Sequence, residues 1–151
     1  MIVDINFFER NKIPGKLVAV SGGFDPMHIG HVRYIKEAKK LGDYLVVIVN
    51  GDGFLERKKN YKFMPLEERM EVIDSMDSVD FVVPWVSTDQ TVIGALQIIK
   101  PNIFAKGGDR TGPENIPEWQ PCLDIGCEII TGVGGDKIQS SSDLVKAFMN
   151  K

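Results

Sequence analysis

The chain is poor in several of the residues that announce a function. Its 151 residues include only two cysteines, Cys122 and Cys127, five apart and with no histidine near them. That spacing fits neither a zinc knuckle nor a redox C-x-x-C pair, and it leaves two buried or half-buried free thiols. Basic residues are not in excess either: 18 Lys and Arg stand against 21 Asp and Glu, for a formal charge of −3. No broad basic surface follows from that balance, so nucleic acid is not an expected partner and any work on phosphate falls to local positive charge. No apolar run approaches the roughly 18 residues of a spanning helix, and no signal-peptide pattern occurs. A cytoplasmic protein without a membrane partner is the expectation. G-x-G-x-x-G after the first strand and the Walker motif are also missing, which sets aside dinucleotide-binding and P-loop readings. Histidine is scarce too, but both copies fall in one place.

That place is residues 21 to 31, SGGFDPMHIGH, which follows the apolar run Leu17-Val18-Ala19-Val20 and leads into a helical pattern. It reads as a strand, a tight loop and a helix N-terminus. Gly22 and Gly23 let the backbone turn without a Cβ and bring bare N–H groups close to a ligand, and Gly30 does the same before the helix. His28 and His31, three residues apart, can both face a ligand over that helix N-terminus, whose unpaired N–H groups carry partial positive charge. A polyphosphate suits them. Each histidine can donate hydrogen bonds to phosphate oxygens and can be drawn by them towards its charged form. Phe24 reads as a core plug beneath the loop, Pro26 as a turn residue and Met27 as packing. Asp25 either caps the loop's own amides or helps hold the ligand.

SGGFDPMHIGH resembles the G-x-F-D-x-x-H-x-G-H signature of the nucleotidylyltransferase superfamily. That superfamily includes glycerol-3-phosphate and ethanolamine-phosphate cytidylyltransferases and the adenylyltransferase domain of ADP-heptose synthase. His28-Ile29-Gly30-His31 also spells the motif shared with class I aminoacyl-tRNA synthetases, but those are far longer and no KMSKS string is present here. The likeness runs over nearly the whole chain from about Gly15. It implies an enzyme that moves a nucleoside monophosphate from CTP or ATP, with CTP placed slightly ahead, onto a phosphorylated sugar, polyol or amino alcohol. Pyrophosphate is released, and Mg²⁺ rides on the triphosphate with no metal site of the protein's own. The alternatives are adenylyl transfer to another acceptor such as a flavin, and a non-catalytic nucleotide-binding sensor.

Residues 1–16 form an extension on a single domain spanning 1–151. Phe7 and Phe8 pack either onto the body or onto a second subunit, and a homodimer is expected. Tyr34, Ile35, Ala38 and Leu41 recur at helical spacing up to Gly42. Residues 44–50, YLVVIVN, form a continuous apolar run of the kind covered on both faces of a parallel sheet. Asp52, in the Gly51-Asp52-Gly53 turn that follows, is a contact for ribose or substrate hydroxyls, or a loop cap. The run Glu56 to Lys62 reads as a charged loop. It resembles the Lys-rich loop of cytidylyltransferases, which makes Lys59 the first candidate for the transferring phosphate and Arg57 the second. Pro65 opens a helix to about Met76. There the resemblance makes Arg69 a phosphate or substrate ligand, against a surface salt bridge with a neighbouring glutamate.

Residues 79–85 read as a third strand, 88–100 as a helix capped by Thr88 or Asp89, and 102–106 as a fourth strand. AKGGDR resembles the KGGD string of ADP-heptose synthase, so Gly107 and Asp109 approach the nucleotide and Lys106 or Arg110 meets anions; a plain tight turn is the other reading. Trp119 reads as packing, and 127–131 as the last strand. Ser140, Ser141 and Ser142 head the final helix, where three hydroxyls can cap it and also donate to a phosphate. They match the family's G-x-S-T-T-x-I segment, although the arginine often placed shortly before it is Gly135 here and Lys137 is the nearest cation. Strands alternating with helices predict a Rossmann-like, doubly wound α/β fold. Its parallel sheet would have five strands in the order 3-2-1-4-5, with helices on both faces.

Overall fold

A computed structural model of the chain describes residues 1–108, 111–135 and 140–150. Five parallel strands make one sheet in the order β3-β2-β1-β4-β5: β1 Leu17–Gly22, β2 Tyr44–Asn50, β3 Phe81–Trp85, β4 Ile103–Ala105 and β5 Glu128–Ile130. Between them lie α1 Ile29–Lys39, α2 Asp52–Lys59, α3 Leu66–Asp74, α4 Ile93–Ile99 and α5 Trp119–Asp124, and α6 Ser141–Met149 follows β5.

The strands are apolar on both sides because both sides are covered. Val18 and Val20 of β1, with Leu45, Val47 and Val49 of β2, pack against Ile35 and Ala38 of α1 and Met70 and Ile73 of α3. Leu17 and Ala19, with Val46 and Ile48, point the other way onto Ala95, Leu96 and Ile99 of α4 and Cys122 of α5. Each fully buried aliphatic side chain of this kind contributes about 1.5–3 kcal/mol, so the two apolar layers hold the sheet between its helices. The strand order reverses between β1 and β4, and that switch point opens at the carboxyl ends of the strands.

Three expectations about local structure change. The charged run 56–62 is a loop only at its end: Asp52 through Lys59 forms α2, with Gly51 at its N-cap and Asn60 closing it at φ 68°. Leu55 is the helix's one buried residue, so the apolar signal that would reveal a helix is almost absent. Second, the helix expected from residue 88 begins only at Ile93. Asp89 caps a turn instead, accepting from the Thr91 N–H at 3.0 Å. Third, Pro65 sits at the N-cap of α3 rather than inside it.

The N-terminal segment packs onto the body. Val3 N–H donates to the Val82 carbonyl at 2.8 Å, and Phe8 meets Phe81 edge-on with ring centroids 5.6 Å apart. Phe7 is exposed. Both cysteines are buried free thiols.

Candidate active site

A cleft of about 720 Å³ opens at the switch point, within the range of small-molecule sites. Its walls bring together Gly22, Gly23, Phe24, Asp25, His28, Gly30 and His31 from the β1–α1 turn, Lys59 from the end of α2, Lys106 and Gly107 from the end of β4, and all three serines at the head of α6. These segments are far apart in sequence, and the sheet edge collects them.

The two histidines are held by the helix they begin. His28 is the N-cap of α1, and its Nδ1 accepts the Gly30 N–H at 3.1 Å. His31 Nδ1 accepts the His28 N–H at 3.3 Å, closing a reciprocal cap. With both Nδ1 atoms used as acceptors, each neutral ring carries its proton on Nε2, the tautomer that donates away from the helix. The rings stack with centroids 3.8 Å apart, and Phe24 closes edge-on against His31 at 5.0 Å. Phe24 itself is buried, with its backbone in the left-handed region at φ 53°. Burial first, then His28 and Lys59, push the His31 pKa down to about 3. Where no anion faces it His31 is therefore a neutral donor at neutral pH, and the pull of a phosphate towards the charged form works against this burial.

Asp25 caps backbone amides, those of the α2–α3 connection rather than of its own loop. Buried at the cleft wall, its two carboxylate oxygens accept the Phe63 and Met64 N–H groups, both at 2.6 Å. It therefore ties the signature turn to the α2–α3 connection. Its carbonyl accepts the Lys59 ammonium at 2.9 Å, and the same ammonium lies 5.1 Å from the Tyr61 ring centroid. Burial, opposed by Asp25 and reinforced by Arg69, pulls the Lys59 pKa below its ordinary value.

Arg69, expected as a ligand for phosphate or substrate, lies beneath the cleft instead. Its guanidinium is fully buried and donates to the carbonyls of Met64 at 2.9 Å, Gly23 at 2.8 Å and Asn50 at 2.6 Å, and to Asp52 Oδ1 at 2.7 Å. The reading of Arg69 as a surface salt bridge is corrected by the same burial. Asp52 is held by Arg69 and by Lys62 at 3.1 Å; burial raises its pKa, and these two cations outweigh that to give a net lowering. Neither Asp52 nor Arg57 is among the cleft walls. Arg57 turns to the β3–α4 loop, donating to Gln90 Oε1 at 2.6 Å and to the Ser87 carbonyl. Asp109, Arg110 and Lys137 lie outside the described residues.

The glycines have reasons beyond ligand approach. A Cβ on Gly23 would fall 2.5 Å from Leu55, and one on Gly134 would fall 2.8 Å from the Tyr34 Cα at a backbone φ of +92°. Gly134 thereby seats the β5–α6 connection directly on α1. Ser140 caps α6, accepting the Asp143 N–H at 3.0 Å, and the Ser141 hydroxyl donates to the Pro26 carbonyl at 2.7 Å. One serine is spent on capping and one on docking the helix head to the signature turn.

A family model described as cytidylyltransferase-like matches residues 19–131. The chain belongs to the cytidylyltransferase-like family. It is 41% identical over 123 residues to the bifunctional protein HldE of Hahella chejuensis, and 39% identical over 124 residues to that of Yersinia pestis. Each alignment covers 80% of this chain and 24% of the relative, so the chain spans about a quarter of the length of these curated relatives. Among solved structures, a lipopolysaccharide core biosynthesis protein from Thermoplasma volcanium superposes with a TM-score of 0.67 at 28% identity, covering 78% of this chain and 95% of that one. A pantoate-beta-alanine ligase from Francisella tularensis shares the fold at a TM-score of 0.72 and 20% identity, covering 96% of this chain and 72% of that one.

Several walls of the cleft were not singled out as individual site residues by the sequence. Asn50, Phe54, Leu55, Lys58, Gln90, Thr91 and Glu118 all line it. Glu118, in the proline-punctuated stretch 111–121, gave only one hint, a charged residue between Ile116-Pro117 and Trp119.

Proposed function

We propose that the cleft catalyses nucleotidyl transfer: an acceptor phosphate oxygen attacks the α-phosphorus of an NTP in line, forming the new P–O bond as the bond to the departing pyrophosphate breaks. The observation that carries this reading is the reciprocal cap of His28 and His31, which orients two Nε2–H donors from a helix N-terminus at the mouth of the switch point. Preorganised donors suit charge that appears only as pyrophosphate leaves, because they need no reorganisation at that moment. Lys59 adds a cation at the same wall, and the head of α6, with the Ser142 hydroxyl and the positive end of the helix dipole, faces the remaining phosphate oxygens. Arg69 is a positioning residue in this scheme, holding Gly23 and Asn50 at their carbonyls. No protein nucleophile is involved, so the rate rests on positioning and electrostatics.

Mg²⁺ supplies neutralisation of the triphosphate when bound. The ligands we assign to it are the triphosphate oxygens, as the family resemblance implies. The NTP is CTP or ATP and the acceptor a phosphorylated sugar, polyol or amino alcohol, in a cytoplasmic homodimer. Resemblance of the 106–109 string to ADP-heptose synthase argues for ATP, and that of the signature turn to cytidylyltransferases argues for CTP. Screening both nucleotides against a panel of such phosphates tests the reading: pyrophosphate should appear only when NTP, Mg²⁺ and one acceptor class are all present. Tight NTP binding with no pyrophosphate from any acceptor would instead mark a nucleotide sensor.

A further inference from the structure

Glu118 is buried to 5% exposure, yet it lines the cleft. Its Oε2 accepts the Val92 N–H at 3.1 Å, which anchors the start of α4. Its Oε1 has no hydrogen-bond partner among the described residues. A second acceptor in the same cleft, Asn50 Oδ1 at the end of β2, is also buried and without a partner among the described residues. Leaving such an atom unsatisfied carries its full desolvation penalty, larger still for a charged group, and native structures hold few of them without a reason. Both atoms accept and neither can donate, so what completes them is a donor.

We infer that Glu118 is a specificity-determining residue that recognises a neutral donor group, a hydroxyl or an amino group, on the ligand whose phosphates lie at His28 and His31. This rests on the nucleotidyl-transfer reading. The positions divide the work. The two histidines begin α1, which packs on one face of the sheet, whereas Glu118 stands at the N-cap of α5, which packs on the other, beside the β3–α4 turn residue Val92. A carboxylate there repels phosphate and attracts N–H or O–H, so it sets which end of the ligand enters where. The terminal torsion of a glutamate is soft. Turning the carboxylate can therefore present one oxygen to the cleft while the other stays within reach of the Val92 N–H.

The donor could come from the nucleoside half of the NTP or from the acceptor, and two variants with three probes separate these. Glu118→Gln keeps an oxygen for the Val92 N–H but turns the other position into an amide donor; Glu118→Ala removes both. Binding of CTP, ATP and inorganic tripolyphosphate is measured by calorimetry, and KM for the acceptor by pyrophosphate release. If the nucleoside is the source, Glu118→Gln weakens the preferred NTP about 10- to 100-fold while tripolyphosphate binds as before. If the acceptor is the source, NTP binding is unchanged and acceptor KM rises by that factor. Equal weakening of tripolyphosphate and NTP in Glu118→Gln, or no change in either NTP affinity or acceptor KM, overturns the inference and leaves Glu118 as the anchor of α4. Should Glu118→Ala unfold, the glutamine variant still decides. Wild-type protein that binds none of the nucleotides overturns the functional reading itself.

Discussion

Replacing Arg69 with alanine separates an organising arginine from a ligand-binding one. The guanidinium makes four hydrogen bonds, three to backbone carbonyls and one to the Asp52 carboxylate. Removing it strands the carbonyls of Gly23 and Asn50 beside the cleft and leaves Asp52 with Lys62 alone. Breaking a buried ion pair from one side costs about 3–5 kcal/mol, because the groups left behind have lost their solvent as well as their partner. For a chain of this size each kcal/mol lowers the melting temperature by about 2–4 °C, so Arg69→Ala should melt about 6–20 °C below wild type. Arg69→Lys should recover little, since one ammonium cannot span four acceptors set around a planar fork. Urea unfolding followed by circular dichroism is the assay, and the midpoint should fall at an unchanged slope. A loss below about 1 kcal/mol together with abolished turnover would show that the guanidinium acts on a bound ligand, and the buried geometry described here would be refuted.

Other perturbations read different parts of the site. Gly134→Ala should cost more than Gly135→Ala in urea, because both add a Cβ at positive φ but only the first drives it into the Tyr34 backbone; the second should show just the conformational cost of about 1–2 kcal/mol, and equal losses would mean the α1 contact is not tight. His31 has a folded pKa near 3 against 6.5 for the free side chain, so the unfolded chain binds the extra proton. Stability is full above about pH 6.5 and falls as pH drops towards 3, with a slope of up to about 1.4 kcal/mol per pH unit from this group. His31→Asn should flatten that part of the profile, and an unchanged slope would remove His31 as its source. The same variant retains an oxygen near Nδ1 for the His28 N–H but lacks the outward donor. Its kcat should fall about 10²- to 10³-fold with a near-normal melting temperature, and near-normal kcat would make the histidine structural.

The five strands, their order and the gathering of glycines, histidines and serines at one edge were legible because they rest on local pattern. Apolar runs in β1 and β2 have no polar face, and that requires helices on both sides. What escaped the sequence depends on distance. Arg69 reaches Gly23 across 46 positions and Asn50 across 19, and Glu118 reaches Val92 across 26. No periodicity encodes such contacts. The α2 helix was missed for the opposite reason: Leu55 is its only buried residue, so its run of charges looks like a loop. The tautomers of the two histidines are likewise a product of the cap geometry, which appears only once α1 has formed.

The most direct measurement follows label from the NTP. With an acceptor found by the screen, NTP carrying ³²P at the α-phosphate and NTP carrying it at the γ-phosphate are supplied in parallel, and the products are separated by chromatography. Nucleotidyl transfer places the α label in the acceptor conjugate and the γ label in pyrophosphate. Appearance of the γ label in the acceptor, or of the α label in free nucleotide alone, would contradict the account.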